Sequence, residues 1–63
     1  MNRMYVIKIY ADGAEWYHHW RWVRVNSVET AMRFHSEAEA EAEIKLIRIQ
    51  IGKYPIIDIV KID

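Results

Sequence analysis

Residues 36–52, from Ser36 to Gly52, read SEAEAEAEIKLIRIQIG, and two periodicities compete within them. Read as a helix, the stretch opens on a capping box. The Ser36 hydroxyl accepts from the third helical N–H, and the Glu39 carboxylate reaches back to the cap N–H. Glu37, Glu39, Glu41 and Glu43 then fill the first two turns, and Lys45 and Arg48 lie toward the C-terminal end, as the helix dipole favours. Gly52 is a natural stop. Read as a strand, residues 43–51 nearly alternate and are rich in Ile, and residues 52–55 become a hairpin loop. The helix is the better reading. Without residues 44–51 the Ala-Glu run would leave a helix too short to persist. On a helical wheel Ala40, Ile44, Ile47 and Ile51 form one apolar stripe. Ala42, Leu46 and Ile49 lie on roughly the opposite side at about 100° per residue. This helix is therefore apolar on two sides.

N-terminal to it, residues 3–11 and 15–25 are rich in aromatic and β-branched side chains, the composition of strands. Asp12-Gly13 between them is a strong signal for a two-residue hairpin turn, which needs positive φ at both positions. That turn sets Ala11 opposite Ala14 and fixes the register outward. Tyr5, Ile7, Ile9, Trp16, His18, Trp20 and Trp22 share one face, because alternate residues point to the same side. Met4, Val6, Lys8, Tyr10, Tyr17, His19, Arg21 and Val23 share the other. The first set is the better core face, and its tryptophans are expected beneath the helix.

Residues 26–29 (Asn-Ser-Val-Glu) read as a turn or one short helical turn, and residues 30–34 as a brief strand. A last strand, Ile56 to Ile62, begins after Pro55. Either Ile57 and Ile59, or Ile56, Val60 and Ile62, can face inward. The order β-β-(short β)-α-β predicts an α+β fold, with an antiparallel sheet and one helix packed on one face.

Sixty-three residues form one domain, 1–63, and a core this small is marginal. The chain has no cysteine, which removes disulfides, thiolate nucleophiles and the usual structural zinc sites. Nine basic and nine acidic residues cancel, so no global field draws the chain to nucleic acid or anionic lipid. No signal-like N-terminus and no run of about 18 apolar residues is present, so the expectation is a cytoplasmic protein without a membrane partner.

The segment Ala31-x-x-Phe34-x-Ser36-x-x-x-Ala40, set between an aromatic hairpin and a closing Ile-Val-Lys-Ile strand, resembles many small uncharacterised phage and prophage proteins. The likeness spans about half of the chain. It carries no catalytic residues over. What it implies is context, because small phage products of this kind often bind and modulate a host protein.

Catalytic chemistry finds little support in the residues. His18 and His19 point to opposite faces of a strand and cannot share a metal ion, so no metal or cofactor site is expected. No Ser-His-Asp or Cys-His set is visible, and Gly13 and Gly52 make no phosphate loop. The helix glutamates read as a solvated face with a Glu41–Lys45 pair. The expected function is thus a non-enzymatic protein-interaction module, with an unnamed protein partner. The alternative is a single-stranded nucleic-acid-binding module, using the aromatic and basic face of the hairpin for base stacking. The candidate contact residues are Lys8, Tyr10, Tyr17, His19 and Arg21 on that face, and Leu46 and Ile49 on the second helix stripe. Two apolar surfaces beyond one core also predict self-association, as a homodimer.

Overall fold

A computed structural model describes residues 4–20 and 23–62. It contains strands β1 (Met4–Ala11), β2 (Ala14–Trp20), β3 (Val23–Val25) and β4 (Ile56–Ile62), with helix α1 (Glu37–Ile51) before β4. The strands form one antiparallel sheet in the order β3-β2-β1-β4, and α1 packs on one face of it. The predicted α+β class and element order are therefore observed.

The hairpin adopts the expected register, with Ala11 opposite Ala14 and Lys8 opposite Tyr17. Asp12 and Gly13 have φ of 52° and 78°, the pair of positive values that a two-residue turn of this hand requires. Beyond Lys8 and Tyr17 the two strands part. Residues 32–34 enter the gap: the Phe34 N–H donates to the Tyr5 carbonyl at 2.8 Å, the Tyr5 N–H to the Phe34 carbonyl at 2.9 Å, and the Met32 N–H to the His18 carbonyl at 3.0 Å. The backbone groups of the splayed hairpin are satisfied by this wedge rather than by each other.

Two expectations are corrected here. The run 15–25 is not one strand. It divides into β2 and β3, which pair with each other, with a register shift between His18 and Trp20. Nor is 30–34 a strand. Thr30 closes a 3-10 turn, Val28–Thr30, whose cap Ser27 accepts from the Glu29 N–H at 3.2 Å, and what remains is the single Tyr5–Phe34 bridge. Trp22 and Arg21 lie outside the described residues.

The helix reading of residues 37–51 holds, and the cap explains its start. Ser36 sits in extended backbone and its Oγ accepts from the Glu39 N–H at 3.2 Å. The box closes differently from expectation, with the Ser36 hydroxyl, not its N–H, donating to Glu39 Oε2 at 3.5 Å. At the other end Gly52, with φ of 81°, donates its N–H to the Arg48 carbonyl at 2.8 Å. Arg48 Nη1 then donates to the carbonyls of Gly52 (3.1 Å) and Pro55 (2.7 Å), tying the helix end to the approach of β4.

The core beneath α1 joins Tyr5, Ile7, Ile9, Phe34, Ala40 and Ile47, with Trp16, Met32, Ile44, Ile57 and Ile59 packed against it. This resolves the last strand, whose Ile57 and Ile59 face the helix while Ile56 is exposed. Ala40 has no side chain beyond Cβ and brings the first half of α1 close to the sheet. The opposite face is less open than expected, because Val6 on it is fully buried and lies across from Val60.

Candidate functional site

The site follows from a mismatch of widths. A helix is about 10–12 Å across, and strands lie about 4.8 Å apart, so one helix covers about two strands. Here α1 packs over β1 and β4. On the same side of the sheet, β2 and β3 are left beside the helix rather than beneath it, and a trough runs between them.

Two adjoining hollows make up this trough and share Ile47 and Gln50. The larger, of about 390 Å³, meets α1 from Glu43 to Gln50 and is lined across from the helix by Trp20 and Met32. The smaller, of about 210 Å³, meets α1 from Ile47 to Ile51 and is lined by Trp16, His18, Val23 and Arg24. Trp20 is 55% exposed, Leu46 60% and Ile49 76%, and all three border the larger hollow. Residues of these types are normally hidden, and a contiguous exposed group of them marks a contact surface.

Polar groups in the trough are few and mostly engaged. His18, 3% exposed, donates from Nε2 to Glu43 Oε2 at 2.7 Å, and this pair ties α1 to β2. Glu43 therefore leaves the solvated helix face expected for it. Arg24 lies over the Trp16 ring, 4.3 Å from its centroid, a stacked cation–π contact. It puts a positive charge at the end of the trough nearest the C-terminus of α1. Among the described residues no group of three His, Asp or Glu side chains converges as a metal site would require.

The other candidate face assembles only in part. Lys8 Nζ lies 5.2 Å from the Tyr10 ring and 5.8 Å from the Tyr17 ring, and pairs with Glu15 at 3.4 Å. The Tyr10 side chain, and then the Glu15 carboxylate, hold the Lys8 ammonium above the usual lysine range. Asp58 is its neighbour on β4. Both tyrosines are half-buried, and their shared cation is spoken for, which leaves a poor platform for phosphates and bases. His19 turns elsewhere, its Nδ1 donating to the Thr30 carbonyl at 2.7 Å. Arg21 is outside the described residues. The expected Glu41–Lys45 pair is absent; the ion pairs among the described residues are Lys8–Glu15 and His18–Glu43.

Of the predicted contact residues, Leu46 and Ile49 thus stand in the trough, and Lys8, Tyr10 and Tyr17 cluster on the far side of the sheet. Sequence reasoning missed Trp20, which was expected in the core, together with Met32, Arg24 and Gln50. The parity of Trp20 was right, since it does face the helix side. The signal overlooked was helix width, which leaves two of four strands uncovered.

Comparison of the chain with protein-family models, with curated proteins and with solved structures found no match.

Proposed function

We propose that this protein is a non-enzymatic protein-interaction module that engages its partner through the trough beside α1. The observation that carries this reading is the exposure of Trp20, Leu46 and Ile49 around one hollow. Large side chains of this kind, aromatic ones above all, dominate binding energy when a partner buries them. The sequence resemblance around Ala31, Phe34, Ser36 and Ala40 supplies a context, that of a phage-type modulator of a host protein. The His18–Glu43 pair fits a structural role better than an acid–base one, since each group is spent on the other.

Immobilised protein exposed to a bacterial lysate tests the reading when wild type is compared with Leu46→Glu and Tyr17→Glu. Proteins retained by wild type and by Tyr17→Glu, but lost with Leu46→Glu, are the expected result. Equal retention by all three variants contradicts it. Titration with single-stranded DNA at low salt should show no binding, because phosphate contacts are strongest there. Tight, salt-sensitive binding would instead favour the nucleic-acid alternative.

A further inference from the structure

We infer that this chain pairs with a second copy of itself along the open edge of β4, strand against antiparallel strand, about a two-fold axis beside Ile59 and perpendicular to the sheet. This surface is separate from the trough, so the inference goes beyond the interaction reading above. In an antiparallel strand the N–H and carbonyl of one residue point to the same side. Those of Tyr5 bond Phe34, on the side of β1 away from β4. The alternate residues Met4, Val6, Lys8 and Tyr10 therefore bond β4, at Ile62, Val60, Asp58 and Ile56. Between these, Ile57, Ile59 and Lys61 turn their N–H and carbonyl groups out of the sheet, and among the described residues nothing bonds them. The two edges of the sheet differ in this respect. β3 has three residues and a register shift beside it, devices that blunt an edge. β4 runs for seven residues and pairs with β1 without a shift.

The open edge is self-complementary. With Ile59 opposite Ile59 of the second copy, Ile57 meets Lys61, and all three outward residues of each strand are bonded. Sliding the strands one way sets Asp58 against Asp58, and Pro55, which has no N–H, against Lys61. Sliding them the other way carries Ile57 past the end of the partner strand at Ile62.

Charge on α1 favours the same arrangement. Glu43, Leu46 and Gln50 face the trough, and Ala40, Ile44 and Ile47 face the sheet. At helical spacing the remaining side of α1, over the β4 edge, carries Glu37, Glu41, Lys45 and Arg48, and Arg48 reaches the carbonyl of Pro55 just before β4. Among the described residues Glu37, Glu41 and Lys45 make no ion pair. A two-fold perpendicular to the sheet keeps both helices on one face and sets them antiparallel. Their axes then lie two to three strand spacings apart, about 10–14 Å, within the combined reach of a glutamate and a lysine. Glu37 and Glu41 of each copy face Arg48 and Lys45 of the other, so opposite charges meet on both sides of the axis. Both troughs lie toward the outer flanks of the joined sheet and stay open, so a contact made there adds to the dimer.

Sedimentation over a concentration series is the first test. The mass should rise from 7.6 kDa to twice that, about 15 kDa, between about 0.1 and about 100 micromolar protein. Amide exchange at Ile57, Ile59 and Lys61 should slow over the same range. Lys61→Pro removes an outward N–H that bonds nothing within the chain, and by symmetry two hydrogen bonds from the dimer. Circular dichroism should report a native fold, and the dissociation constant should rise about tenfold or more. Glu41→Lys and Lys45→Glu should each weaken the dimer, and an equal mixture of the two should associate as wild type does, because the swapped charges then face each other. A mass of 7.6 kDa throughout overturns the inference but leaves the trough reading to the lysate comparison. A dimer in which Ile57, Ile59 and Lys61 exchange as fast as in the monomer overturns it too, as does a mixture of the charge variants no stronger than either alone.

Discussion

On the helix side of the sheet, two halves of similar composition meet different fates. Over β1 and β4 the apolar side chains Ile7, Ile9, Ile57 and Ile59 are roofed by α1, and Ile7 is fully buried. Over β2 the roof reaches as far as Trp16 and His18, and beyond them, among the described residues, Trp20 and Val23 stand about half exposed. The same contrast repeats on the helix itself, where Ile47 is buried and Ile49, two residues on, is 76% exposed. Hydrophobicity alone does not separate these pairs. What separates them is the reach of one 15-residue helix, which covers β1 and β4, meets β2 at Trp16 and His18, and leaves Trp20 and Val23 beside it. The covered half is expected to carry stability and the uncovered half recognition.

Substitutions at matched positions should show that division. Ile47→Ala should have the largest effect, lowering stability by about 2–5 kcal/mol through lost burial and a residual cavity. Urea unfolding followed by circular dichroism reads it, and a loss below about 1 kcal/mol would show that α1 is not seated on the sheet as described. Next comes the tie between the halves. His18→Ala leaves Glu43 without its 2.7 Å partner and should cost about 1–3 kcal/mol. Removing the cap, Ser36→Ala, should cost about 1 kcal/mol, with helix content falling first at the N-terminal turn in amide exchange. Ile49→Ala should be the mildest. At dilutions where the chain is monomeric its stability should stay within about 0.5 kcal/mol of wild type, as for surface positions generally. If Ile49→Ala proved as destabilising as Ile47→Ala, the comparison between the two faces of α1 would collapse.

Much of this arrangement was legible in the residues, because local chemistry dictates it. Asp12-Gly13 determines the turn and thereby the hairpin register, and Ser36 with Gly52 determines where α1 begins and ends. Apolar stripes on both sides of α1 were visible for the same reason, since helical spacing is a local property. The wedge of residues 32–34 was not legible. Residues 30–34 have the composition of a strand, but their partners are the backbone groups of Tyr5 and His18, freed where the hairpin splays. That opening is a tertiary event which no local pattern encodes. Likewise the division of the run 15–25 into β2 and β3 carries no Gly or Pro to announce it. Trp20 was assigned the right face and the wrong environment, because parity tells which way a side chain points and not whether anything lies above it.

The claim that the uncovered half is the contact surface is tested most directly by fluorine NMR on protein carrying 5-fluorotryptophan, with 3-fluorotyrosine in a parallel sample. Substitution of Trp20 by Phe identifies its resonance. Over a concentration series from micromolar to millimolar protein, the Trp20 resonance should shift while that of Tyr17, on the far face, stays in place. Movement at Tyr17 with Trp20 unchanged would contradict the account and transfer the contact to the opposite side of the sheet.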